Sequence, residues 1–149
     1  MRTDTLSYKY HYQAKKTDLF QVLIREQLGY FRRNDPSIKE LKTGTTIETH
    51  LQTKLNKIQT ENSMTIKNII PNELFQLETT QQGGVIVQTY QFEQDHRGKE
   101  RVVYSERNTF SESRSQMNFM VMGGLYKFFY NRGIKKRIQY LDNLALQNH

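Results

Sequence analysis

The chain contains no cysteine and no tryptophan, and only two of its 149 residues are proline. Without cysteine there is no disulfide, no thiolate metal site and no Cys nucleophile. Long apolar runs are missing too. The longest uninterrupted stretch, Phe119 to Tyr126, falls far short of the ~20 residues that a membrane span needs. The opening residues, MRTDTLSYKY, hold no apolar segment of the signal-peptide kind. The expectation from these absences is a soluble, cytoplasmic protein with no membrane insertion. Apolar residues make up only 36% of the chain, offset in part by an aromatic share of 11%. Each fully buried Phe or Tyr contributes about 1.5–3 kcal/mol, so a folded chain is expected rather than a disordered one. The length suits a single domain over residues 1–149.

Chemical motifs are equally scarce. Gly83-Gly84 and Gly123-Gly124 are isolated pairs, with neither a dinucleotide fingerprint nor a Lys-ended phosphate loop around them. No G-x-S-x-G or H-E-x-x-H occurs. His11, His50, His96 and His149 lack the short spacing of zinc ligands. His11 and His50 both fall on polar strand faces, and neighbouring strands would bring them together, but two exposed side chains are the plainer reading. The expectation is no cofactor, no metal and no catalytic residue; enzymatic activity is left open, with a non-enzymatic role preferred.

The net charge of +7 raises nucleic acid as a partner. Its cations gather at Arg25, Arg32 and Arg33, and at Lys127, Arg132, Lys135, Lys136 and Arg137. Both groups fall on expected helices, where a solvated outer face is the preferred account, since no nucleic-acid-binding motif accompanies them.

What is present is pattern. Residues 5–14 alternate, with Leu6, Tyr8, Tyr10 and Tyr12 on one face, the period of a half-buried strand. Thr17 is placed to cap a helix whose first turn holds Asp18. Phe20, Leu23, Ile24, Leu28 and Phe31 form its apolar stripe, and Asn34-Asp35-Pro36 ends it. Strands are expected over Thr45–Thr53, Ser63–Ile70, Leu74–Thr80, Val85–Glu93 and Glu100–Phe110, with turns at Pro71-Asn72, Gln81–Gly84 and Asp95–Gly98. From Ser111–Ser115 a helix is expected to run to about Gln147, with Met117, Met120, Gly124, Phe128, Ile134, Ile138 and Leu141 facing the core. Such a helix would be ~50 Å long against ~30 Å for strands of nine or ten residues. A bend at Gly123-Gly124 would resolve the mismatch.

This order of elements, with the segments IIPNELFQL, TYQFE and RVVYSE between Ile66 and Glu106, resembles the START-like superfamily, typified by the birch-pollen allergen. Within it, the chain is most similar to a bacterial family, domain of unknown function 3284. The resemblance covers essentially the whole chain. It implies an α+β fold in which a curved antiparallel β-sheet wraps around a long C-terminal helix (the helix-grip), with a short helix or helices after the first strand. It implies no particular activity. The chain departs from better-studied branches in lacking tryptophan, and in carrying Leu55–Asn62 where the allergens have a Gly-rich loop.

An interior cavity is the candidate site. Period-two patterning puts Val102, Tyr104, Glu106 and Asn108 on one face, beside Ile86, Tyr90 and Phe92. The expected lining is Tyr8, Tyr10, Tyr90, Tyr104 and Glu106, with Met117, Met120 and Val121 approaching from the helix. The ligand would be small and mainly apolar, with an oxygen-bearing group near Tyr104 and Glu106. The alternatives are structural tyrosines around a filled cavity in a protein-interaction module or, less favoured, an RNA-binding accessory protein. The oligomeric state is left open, a homodimer included.

Overall fold

Alternating residues build one sheet, and two amphipathic helices cover one of its faces. The computed structural model describes residues 2–52, 59–81, 84–110 and 123–147. Its elements are β1 (Arg2–Tyr10), α1 (Lys16–Asn34), β2 (Thr46–Gln52), β3 (Gln59–Ile70), β4 (Leu74–Gln81), β5 (Gly84–Gln94), β6 (Glu100–Phe110) and α2 (Gly123–Gln147). All six strands are antiparallel to their neighbours in the order β1-β6-β5-β4-β3-β2. Strands β2 to β6 form a meander and β1 pairs with its last strand. The chain must therefore travel from one edge of the sheet to the other between Tyr10 and Thr46, and α1 makes that passage.

The turns follow from local chemistry. Pro71 sets the backbone for a tight turn and Asn72 takes a left-handed φ of 63°, closed by the Glu73 N–H donating to the Ile70 carbonyl at 3.0 Å. Between β5 and β6, Gly98 adopts φ 81° and donates its N–H to the Asp95 carbonyl at 2.9 Å. The register of β3 on β4 shifts between Ile66 and Asn68, so Lys67 is an extra residue that bends the strand.

The core lies between sheet and helices. From α1 come Leu19, Phe20, Val22, Leu23 and Phe31, and from α2 Ile134, Ile138, Leu141 and Ala145. The sheet presents Ile47, Ile66, Phe75, Leu77, Tyr90, Phe92, Val102 and Tyr104 to them. Strands β3 and β5 are longer than expected, at 12 and 11 residues, and β6 has its expected 11, so the three span ~36–40 Å. The 25 residues of α2 span a comparable ~37 Å. Gly123-Gly124 opens the described part of α2, so a bend in a longer helix, and the stripe positions Met117 and Met120, lie outside the described residues.

Three expectations are corrected. Strand β1 ends at Tyr10 rather than 14, although Tyr12 and Ala14 remain buried. Helix α1 is capped at Lys15, not Thr17, and without a side-chain cap bond. Its entry is held by Asp142 of α2, whose carboxylate accepts the backbone N–H groups of Gln13 and Ala14, both at 2.9 Å. His11 and His50 are not on neighbouring strands. His50 lies in β2 and His11 follows β1, at opposite edges of the sheet, and His11 Nε2 instead meets the Asp95 carboxylate at 2.8 Å.

Candidate functional site

The register carries two rows of side chains across the inner face. Tyr8 stands opposite Tyr104, Tyr104 opposite Tyr90, and Tyr90 opposite Phe75, while Leu6, Glu106, Gln88 and Leu77 form the next row. The Tyr90 and Tyr104 rings pack edge to face, with centroids 4.8 Å apart. Tyr104 has no solvent exposure, so its hydroxyl must be satisfied internally. It accepts a hydrogen bond from Gln88 Nε2 at 2.8 Å and donates to Glu106 Oε2 at 3.1 Å. Desolvation, followed by the Glu106 charge, pushes this phenol's pKa up. The Arg137 guanidinium lies over the Tyr104 ring, 5.0 Å from its centroid, a cation–π contact reached from α2.

Beside this network is a partly open cavity of about 330 Å³. Helix α1 supplies Leu23, Glu26, Gln27 and Tyr30 to its wall. Met64, Leu77, Gln88 and Tyr90 form the sheet side, and Arg137, Tyr140 and Leu141 the α2 side. The surface is chiefly aliphatic and aromatic, with a few polar groups converging on it, as small-molecule sites require. Tyr90 is the informative member. It is 4% exposed and borders the cavity, yet its hydroxyl has no hydrogen-bond partner among the described residues. Its pKa is raised by desolvation, against the Arg137 charge that lowers it, and with the Glu106 charge that raises it further. The hydroxyl is therefore protonated at neutral pH, a donor facing open space.

The expected site residues are distributed as follows. Tyr90 forms the cavity wall. Tyr104 and Glu106 lie on the same inner face and connect to the wall through Gln88. Tyr8 and Tyr10, on edge strand β1, are partly buried against the core, and the Tyr10 hydroxyl is 3.4 Å from Asp142 Oδ2. Met117, Met120 and Val121 lie outside the described residues. Two members were not among the expected residues. Gln88 sits on the same face as Ile86 and Tyr90, so period two did point to it. Arg137 was assigned with its neighbours to a solvated helix face. Part of its side chain does stay in solvent, but the guanidinium turns inward onto Tyr104. Further along the same inner face, Asn62 Oδ1 and Asn108 Nδ2 are buried without a partner among the described residues.

Other chemistry is sparse. Among the described residues no group of three or more His, Asp or Glu side chains could hold a metal ion, and no helix is long and apolar enough to cross a membrane. An open depression at the β5–β6 hairpin gathers His11, His96, Arg97, Lys99 and Arg101 around Asp95, with Arg101 bound to Glu93 at 2.9 Å.

A curved antiparallel sheet gripping a C-terminal helix, with a cavity between them, is the START-like helix-grip class. The chain is similar over 99% of its length to norcoclaurine synthase from Thalictrum flavum, at 11% identity and a TM-score of 0.59, covering 88% of that chain. Ara h 8, a Bet v 1-like allergen, matches 99% of this chain and 100% of its own at 9% identity and a TM-score of 0.57. A protein of unknown function from Staphylococcus aureus matches over 99% and 98% of the two chains at 10% identity, with a TM-score of 0.60. At such identities the likeness shows the fold alone. No curated protein matches by sequence. The chain belongs to the family described as domain of unknown function 3284, whose profile matches residues 6–127.

Proposed function

We propose that this chain is a small-molecule-binding domain that takes a mainly apolar ligand between α1, the sheet and α2, without catalysing its conversion. The observation that carries this reading is the cavity of about 330 Å³, within the range of volumes that hold small ligands. Leu23, Leu77, Met64 and Leu141 supply apolar contact. Tyr90 touches the ligand, and Tyr104 and Glu106 orient Gln88 towards it from behind. Tyr8 and Tyr10 border the same interior. A protein-interaction module with a filled interior fits less well, because it gives the open volume no role.

Native mass spectrometry of freshly purified protein tests this. The expected result is a protein peak carrying a discrete small adduct that disappears under denaturing conditions. A Met64→Phe variant, which places a ring in the cavity, should lose the adduct and remain folded. Bare protein mass from several preparations, together with no displacement of an apolar fluorescent dye by any small-molecule panel, would sink the reading.

A further inference from the structure

On the reading of the cavity as a ligand site, we propose that its ligand is an anion: a compact aromatic or alicyclic acid whose carboxylate sits between the Tyr90 hydroxyl and the Arg137 guanidinium. The cavity wall carries a phenol hydroxyl that opens onto the cavity. Tyr90 is 4% exposed as a residue, borders the open volume and finds no hydrogen-bond partner among the described residues, so its hydroxyl is available to a ligand as a donor. Its neighbour on the next strand, Tyr104, is already committed to Gln88 and Glu106. The hydroxyl available to a ligand is therefore that of Tyr90. On the opposite wall, Arg137 belongs to the same cavity. Its guanidinium carbon lies 5.0 Å from the Tyr104 ring centroid, and a guanidinium, with five N–H donors, suits a carboxylate in two-pronged contact.

The rest of the wall supports an acid of modest size. Gln88 spends one amide hydrogen on Tyr104 and has another to donate. Tyr30, Tyr90 and Tyr140 present aromatic surface on three sides, which suits a flat ring. Two carboxylates are at hand. Glu106 already accepts the Tyr104 hydroxyl, and Glu26 lines the same cavity as an exposed residue of α1, where solvent screens its charge more than that of a buried group. A cationic ligand would have to place its charge beside Arg137, and a neutral one would forgo a charge-assisted hydrogen bond to it.

Three probes of nearly equal shape separate the cases: naphthoic acid, naphthylmethanol and naphthylmethylamine, titrated calorimetrically into the full chain. The acid should bind at least about tenfold more tightly than the alcohol, since charge-assisted hydrogen bonds are about twice as strong as neutral ones. The amine should bind most weakly. In Arg137→Gln the acid-to-alcohol ratio should fall to near one, and in Arg137→Lys it should partly survive. Tyr90→Phe should weaken the acid severalfold, with circular dichroism confirming that each variant is folded. If the alcohol or the amine binds as tightly as the acid, or Arg137→Gln keeps the preference, the anionic ligand is overturned and the binding site stands. If none of the three binds, the cavity reading itself fails.

Discussion

Asp142 is the side chain whose loss should unfold this protein most readily for its size. It is 2% exposed and its two oxygens accept the Gln13 and Ala14 backbone N–H groups at 2.9 Å each. The Tyr10 hydroxyl adds a longer contact at 3.4 Å. Through these bonds α2 holds the corner where β1 turns into α1, a helix without a side-chain cap of its own. The decisive substitution is Asp142→Asn, which keeps shape but replaces one acceptor oxygen by an NH2 group. One backbone N–H then meets a donor, and the other exchanges a charged acceptor for a neutral one. Hydrogen bonds to charged groups contribute about 1.5–3 kcal/mol each, so losing one and weakening the second should cost about 2–4 kcal/mol. With a urea m-value of about 1–3 kcal/mol/M, the unfolding midpoint should fall by roughly 1–2 M with m unchanged. Asn143→Ala, exposed and one residue away, is the control and should stay within about 0.5 kcal/mol of the parent. If Asp142→Asn costs no more than the control, the corner is held by packing, and the carboxylate is incidental.

Tyr104→Phe deletes the acceptor of Gln88 and the donor to Glu106, so it should lower stability by about 1 kcal/mol in urea unfolding and weaken ligand binding severalfold in calorimetry. Asp95 should titrate abnormally. Its hydrogen bond with His11, and those from the Arg97 and Lys99 backbone, hold its carboxyl at about 2, below its ordinary 3.8. A depressed carboxyl pKa stabilises the native hairpin above pH ~4 and loses that contribution as pH falls towards 2; carboxyl-resolved NMR should show the low pKa, and His11→Ala should raise it. Asn72→Gly should be neutral or stabilising by up to about 1 kcal/mol, because glycine adopts a positive φ without the side-chain penalty, whereas Asn72→Val should lower the thermal midpoint.

Much of the fold was legible because strand and helix periodicities are local. The alternation of Val102, Tyr104, Glu106 and Asn108 names a shared face without any knowledge of the neighbours, and Asp95–Gly98 and Pro71-Asn72 announce their turns through backbone preferences of single residues. The same logic placed Tyr90 and Tyr104 together in the interior. It could not say which hydroxyl would be satisfied within the sheet. That depended on Gln88, which satisfies one hydroxyl and leaves the other facing the cavity, a choice made by cross-strand register.

The sequence by itself determined an all-antiparallel sheet, a helix after its first strand, an inner face rich in tyrosine and a helix at the C-terminal end, since each is written in the spacing of neighbouring residues. Only the tertiary structure decided that Arg137 bends in onto Tyr104 instead of remaining on a solvated face, that His11 and His50 sit at opposite edges, and that Asp142 replaces a helix cap 128 residues away. Those outcomes depend on side chains far apart in the chain competing for the same buried donors and rings. Periodicity fixes which face a residue occupies and carries no information about the partner waiting there.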